Sequence, residues 1–162
     1  MSAAPQLLNE MNCTLFIIDD DDIFHRILEI MVQKSNTFEK VTHFNRSKNG
    51  LDYLVTHKSD AAMLPDVLFV DLSMPEMNGW EVLDELRPLL PLLSKQITVY
   101  IVTTAISSFE MARAEKYPFV SEFISKPVSF DKLVAIHELA VKKVEKSAQQ
   151  TLDGLGVHPV AE

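Results

Sequence analysis

Several functional classes are closed to this chain by what it has little of. Cys13 is its one cysteine, so neither an intramolecular disulfide nor a cysteine-rich zinc knuckle can form. That residue reads as a small apolar filler beside a strand. Positive charge is also scarce. Fifteen Lys and Arg stand against 23 Asp and Glu, a formal charge of −8. A surface that neutralises nucleic-acid phosphates needs the opposite sign, so no direct nucleic-acid binding is expected. No apolar run approaches the roughly 20 residues that span a bilayer. The opening MSAAPQLLNEMN has neither a basic n-region nor a sustained apolar stretch. Membrane insertion and secretion are therefore not expected, and a cytoplasmic location is. No segment repeats another, which excludes a solenoid. What remains is an ordinary globular balance, 47 % hydrophobic and 23 % charged, over 162 residues, enough for one domain with its own core.

Short apolar stretches alternate with longer helical patterns. Strands are expected at Thr14–Ile18, Lys40–Phe44, Val67–Val70, Thr98–Val102 and Glu122–Ser125. Three of them, LFII, VLFV and VYIV, are continuous apolar runs, which is how a strand covered on both faces of a parallel sheet reads. Helices are expected from Asp21 to Lys34, Arg46 to His57, Asn78 to Leu90, Ser107 to Tyr117 and Asp131 to Lys146. In the first, Ile23, Ile27, Ile30 and Met31 recur at helical spacing, with Phe24 and Leu28 widening the stripe. Leu133, Ile136, Ala140 and Val144 do the same in the last, with Ser129 as its N-cap. Five βα units in succession predict an α/β domain with a parallel sheet. Residues 1–12 read as an extension, 13–146 as the domain and 147–162 as a mobile, disordered tail too short to hold an output domain.

In open α/β sheets ligands gather outside the carboxyl ends of the strands. Here those ends carry Asp19-Asp20-Asp21-Asp22, Asp71, Thr103-Thr104 and Lys126-Pro127. Asp21 and Asp22 suit the start of a helix, whose positive end they offset. Asp19 and Asp20 add only repulsion there, unless a hard divalent cation relieves it; Mg²⁺ takes carboxylate and water oxygens in this way. Lys126 in the same cleft is a point charge for a phosphoryl oxygen, and the Thr103 hydroxyl can donate to the same oxygens. His25, His43, His57, His137 and His158 are scattered without metal-ligand spacing.

Taken together, IIDDDD, VDLSMPEMNG, VTTA and FISKP, in this order and approximate spacing, resemble the receiver domain of two-component response regulators, of the single-domain, chemotaxis-regulator-like kind. The resemblance covers residues 13–146. It implies a flavodoxin-like (βα)₅ doubly wound parallel sheet in strand order 2-1-3-4-5. Asp71 would be the phosphoacceptor, charged by a sensor histidine kinase or a histidine phosphotransfer protein. Mg²⁺ (or Mn²⁺) would be held by Asp20, Asp71 and the backbone carbonyl of Ser73, with Asp19 acting through a metal-bound water. Thr103 and Lys126 would contact the phosphoryl group, Thr103 and Phe123 would form a switch pair, and Lys126-Pro127 would be a cis peptide. A phosphorylation-driven movement of Thr103 and Phe123 would alter the face made by the fourth helix, fifth strand and fifth helix, read by an unknown downstream protein.

Some positions depart from the commoner pattern of the family. The switch aromatic is Phe123 rather than Tyr, and Thr104 is bulky for its place. Ala105 cannot orient a water, which predicts a long-lived phosphoryl group. The competing enzyme reading, an aspartyl-phosphate hydrolase of the haloacid dehalogenase type, needs a second Asp two residues after the nucleophile. Ser73 stands there. The expectation is a phosphoacceptor switch that assists its own phosphorylation and dephosphorylation, and not a conventional enzyme.

Overall fold

The computed structural model describes residues 12–156. Strands β1 (Thr14–Ile18), β2 (Lys40–Phe44), β3 (Val67–Val70), β4 (Thr98–Thr103) and β5 (Val120–Ser125) alternate with helices α1 (Asp22–Ser35), α2 (Ser47–Thr56), α3 (Gly79–Leu89), α4 (Ser108–Ala114) and α5 (Phe130–Gly154). All strand pairings are parallel, and the order is β2-β1-β3-β4-β5. This is the flavodoxin-like doubly wound sheet, with its switch point between β1 and β3. The three continuous apolar runs occupy its centre, where every residue of β3 and β4 is buried. Because side chains alternate across a strand, the core divides in two. Leu15, Ile17, Phe69 and Val102 pack under α1 and α5. Phe16, Ile18, Leu68 and Ile101 pack under α2 and α3. Burying one such side chain contributes about 1.5–3 kcal/mol. Among the described residues, no helix is long and apolar enough to cross a membrane.

Two expectations are corrected. In α1 the isoleucine stripe faces outward: Ile23, Ile27 and Ile30 are 73 %, 47 % and 44 % exposed, while Phe24, His25, Leu28 and Val32 are buried. The sequence carries two apolar stripes one residue apart, about 100° around the helix, and only one can meet the sheet. The second correction concerns α5, which continues to Gly154 instead of ending at Lys146. The Thr151 hydroxyl donates to the Ser147 carbonyl (3.0 Å), and Gln149 donates to Asp153 (2.9 Å). Past the last turn, Gly156 adopts the left-handed conformation (φ +70°) common after helix ends. Residues 147–154 are thus helix, not tail; residues 157–162 of the expected tail and 1–11 of the expected extension lie outside the described residues.

The stretch between α3 and β4 ties down the lower edge of the sheet. Lys95 forms an ion pair with buried Asp66 (2.9 Å) and donates to the Leu64 carbonyl (3.2 Å). Asp66 in turn accepts from the Thr14 amide (2.8 Å).

Helix α4 is anchored differently from the rest, since none of its residues is buried. Beyond half-buried Ala114 against the core, its attachment runs through side chains of α3. The Trp80 indole donates to Glu110 (2.7 Å), and the Arg113 guanidinium lies 4.7 Å above the Trp80 ring. Just beyond the helix, Tyr117 donates to Asp84 (2.8 Å) and stacks beneath Arg87 (5.0 Å). A hydrogen bond to a charged group contributes about 1.5–3 kcal/mol, less at a half-exposed site. Glu110→Ala is therefore expected to lower stability by about 1 kcal/mol and to shift the emission of Trp80, the chain's single tryptophan. Unchanged emission would show that the indole is not held by Glu110.

Candidate acidic phosphoryl-transfer site

The sheet's register assembles the site. Ile18 pairs with Val70, so the residues that follow them, Asp19 and Asp71, emerge side by side at the carboxyl edge. The Asp71 amide donates to the Ile18 carbonyl (3.0 Å). Farther along, Thr103 pairs with Ser125, and the Lys126 amide donates to the Thr103 carbonyl (3.0 Å). By alternation, Asp19 continues the side of Ile17, Asp71 that of Phe69 and Lys126 that of Ile124, all on the α1/α5 face. Three chain segments thus bring two carboxylates and an ammonium to one point.

Asp19, Asp20 and Asp71 each offer a carboxylate oxygen within 4.8 Å of the others, with Asp19 and Asp71 buried and Asp20 exposed. Lys126 Nζ lies 2.6 Å from Asp19 Oδ2 and 3.3 Å from Asp71 Oδ2. Asp19 Oδ2 is thus buried with the Lys126 ammonium as its close partner. Asp71 Oδ1 accepts from the Ser73 amide (3.3 Å). Burial pulls Lys126 towards the neutral form, yet Asp19 and Asp71 outweigh it and raise its pKa above the usual lysine range. The all-oxygen donor set of Asp19, Asp20 and Asp71 suits a hard divalent cation and its water. Asp21 takes no part in this cluster as a ligand. Its carboxylate caps α1, accepting from the amides of Ile23 (3.0 Å) and Phe24 (3.1 Å). Asp22 is the first helical residue.

Thr103 stands apart. It continues the Val99–Ile101 side of β4, on the opposite face from Asp71, and is fully buried. Its hydroxyl accepts from the Ala105 amide (3.2 Å). Phe123 pairs in register with Ile101 and packs, half-buried, on that same face. Thr103 and Phe123 are thus neighbours, but neither is brought to Asp71 in this state. The Ser73 side chain is exposed, and the Lys126-Pro127 peptide is cis.

The profile of the response regulator receiver domain matches residues 15–138. The chain belongs to that family. Among curated relatives, the receiver domain is 25 % identical over 119 residues to the probable methanogenesis regulatory protein FilR2 of Methanothrix harundinacea, covering 74 % of this chain and 75 % of FilR2. It is 27 % identical to the DNA-binding transcriptional regulator NtrC of Escherichia coli, covering 83 % of this chain but 26 % of NtrC. Among solved structures, a two-component response regulator from Cytophaga hutchinsonii superposes with a TM-score of 0.70 at 23 % identity, covering 81 % of this chain and 98 % of that one. The chemotaxis protein CheY4 of Vibrio cholerae superposes at 0.63 with 16 % identity, over 80 % and 98 % of the two chains, a likeness of fold.

The receiver domain also uses residues that motif reading passes over. Ser47, buried at the start of α2, donates to the Met77 carbonyl (2.9 Å) and so holds the loop that follows Asp71. Nothing in SKNG marks it; only the fold brings the two together. Gly79 lies against the Asp71 backbone, and here a signal existed, a glycine placed directly after a capping asparagine.

Burial pushes the Asp19 carboxyl up to about 6 against the pull of Lys126 and the Asp21 amide, and Asp71 adds repulsion. A raised carboxyl pKa means that the folded state keeps a proton which the unfolded chain releases near pH 4. Without a divalent cation, the Asp19 contribution to stability should therefore rise as pH falls from about 6 to about 4. The ionised Asp19 costs roughly 3 kcal/mol above that window. A cation needs the ionised form. Its affinity should drop about tenfold between pH 7 and pH 5 for this reason, as isothermal titration with Mg²⁺ would measure; equal affinities would place the Asp19 titration elsewhere.

Proposed function

We propose that this receiver domain accepts a phosphoryl group on Asp71, with Mg²⁺ or Mn²⁺ as cofactor, and signals by a change of surface read by another protein. The observation that carries the reading is the convergence of Asp19, Asp20 and Lys126 on the buried Asp71 carboxylate. In the reaction an Asp71 oxygen attacks phosphorus, an oxygen–phosphorus bond forms, and the bond from phosphorus to the donor's histidine nitrogen breaks. Asp20, Asp71 and the Ser73 carbonyl would hold the cation, with Asp19 acting through a water; when bound, the cation supplies neutralising charge to the phosphoryl oxygens. Lys126, already beside Asp71, takes one of those oxygens. Ser73 keeps its amide on Asp71 Oδ1 and fixes the rotation of the carboxylate.

Thr103 would then swing toward the phosphoryl group and leave space on the α3/α4 face for Phe123 to move inward. That contact exists only in the phosphorylated state, so it can shift a two-state equilibrium. Ile106, Phe109 and Met111 around α4 are exposed and would present the altered surface. The donor, a histidine kinase or histidine phosphotransfer protein, would meet the exposed isoleucines of α1 beside Asp20. The domain acts as a switch that assists its own phosphorylation and dephosphorylation rather than as a conventional enzyme.

Incubation with acetyl phosphate, followed by intact-mass spectrometry, tests this reading. One phosphoryl adduct, formed with Mg²⁺ and absent with chelator, is expected. Folded protein that gains none, even from a phosphorylated histidine phosphotransfer protein, would overturn it.

A further inference from the structure

We infer that Phe24 is a positioning residue for Lys126, its aromatic face keeping the ammonium between Asp19 and Asp71. The contact stands on geometry alone, while its consequence for phosphorylation rests on the function proposed above. Lys126 Nζ sits 4.4 Å from the Phe24 ring centroid, 2.6 Å from Asp19 Oδ2 and 3.3 Å from Asp71 Oδ2. The Lys126 side chain is 9 % exposed and Phe24 is 6 % exposed. Little water reaches this cation, so the side that the carboxylates leave open is covered by the negative face of a ring, which attracts it. An aliphatic residue would leave that side of a desolvated charge without a partner.

Phe24 is held in place by the same acidic run that builds the site. The Phe24 amide donates to Asp21 Oδ1 (3.1 Å), the Asp21 amide donates to Asp19 Oδ1 (2.9 Å), and Asp19 Oδ2 pairs with Lys126. The chain of contacts closes on itself: Asp19, Asp21, Phe24, Lys126 and back to Asp19. The position of the cap therefore sets the position of the ammonium. A ring face is also less directional than a hydrogen-bond acceptor. As Asp71 gains a phosphoryl group, Nζ can slide from Asp71 to a phosphoryl oxygen without losing contact with the ring. Asp19 and Phe24 thus form the fixed part of the lysine's surroundings and Asp71 the exchangeable part.

Replacing Phe24 by 4-fluoro-, 3,5-difluoro- and pentafluorophenylalanine tests this with little change of volume, since each fluorine weakens the ring face. The same series at Phe38, buried on the same face of the sheet against His137, measures the cost of fluorination to packing alone. In resting protein, the Lys126 ε-methylene protons should be shifted upfield by the Phe24 ring current, and Phe24→Leu should remove the shift. Phosphorylation by acetyl phosphate with Mg²⁺ should slow stepwise along the Phe24 series, by about thirtyfold at the pentafluoro member, the size expected of a desolvated cation–π contact. The Phe38 series should stay within about twofold. Absence of the ring-current shift, or a Phe24 series that is flat, faster or indistinguishable from Phe38, would overturn the inference. If wild-type protein takes no phosphoryl group at all, the functional reading fails, and the ring-current result alone decides whether Phe24 holds the lysine.

Discussion

Asp71→Asn should take up no phosphoryl group from acetyl phosphate at any Mg²⁺ concentration, yet fold as well as the native chain. The amide is a far weaker nucleophile than the carboxylate and removes one charge from the cation's donor set. Little of the architecture depends on that charge. An Asn Oδ1 can still accept from the Ser73 amide, as Asp71 Oδ1 does. Lys126 loses its 3.3 Å partner but keeps the closer one, Asp19 at 2.6 Å. Repulsion between Asp19 and Asp71, which helps to raise the Asp19 pKa, disappears. These changes offset one another, so stability should stay within about 1 kcal/mol of wild type. Intact mass and urea denaturation on the same preparations would measure both. A phosphoryl adduct of undiminished yield in the variant would assign the acceptor to another residue.

The largest effect on stability is expected from Gly79→Ala. A Cβ built there would lie 2.2 Å from the Asp71 carbonyl oxygen and 2.7 Å from Leu72 Cα. Both are backbone atoms, which no rotamer change can move. Gly79 opens α3, its amide donates to the Leu72 carbonyl (3.0 Å), and Asn78 and Glu81 form a reciprocal capping box around it. Relief requires α3 to lift from the sheet or the end of β3 to shift. The expected loss is about 3 kcal/mol or more, at the upper end of overpacking costs, with a displaced Asp71. Gly154→Ala is the natural contrast. Nothing lies within 4 Å of its Cβ position, and the residue is helical. As the last helical residue it should gain at most about 0.5 kcal/mol from alanine, below the mid-helix value. Denaturation midpoints moving in opposite directions would bear this out. A Gly79→Ala protein as stable as wild type would mean that α3 can draw away from β3 freely.

The parts of the fold that repeat locally were readable in the sequence. Continuous apolar runs marked the central strands, because burial on both faces leaves a compositional trace, and the strand-end acids and Lys126 followed from the βα order. The phase of α1 was not readable. Ile23, Ile27 and Ile30 look as suitable for a core as Phe24, Leu28 and Val32, and hydropathy cannot choose between adjacent stripes. The length of α5 was missed because a polar segment with a glycine resembles a tail, although nothing between Ser147 and Thr151 breaks a helix. Side-chain contacts between distant elements leave no local trace at all. Trp80 with Glu110, Ser47 with Met77 and Phe24 with Lys126 exist only once the sheet has fixed their distances. Thr103 differs, since alternation along β4 from Val99 and Ile101 already places it on the face opposite Asp71.

The manner in which α4 is attached has a consequence for how the molecule opens. Residues of β3 and β4 can expose their amides only when the whole core parts, so their exchange with solvent hydrogen reports global unfolding. With seven residues, none fully buried, α4 is held by half-buried Ala114 and its side-chain links to α3, and its amides are expected to exchange through a smaller opening than those of the sheet. A partner that binds α4 in its detached form would need to supply only that smaller cost, and the domain could be read by capture of a melted helix as readily as by recognition of a folded one.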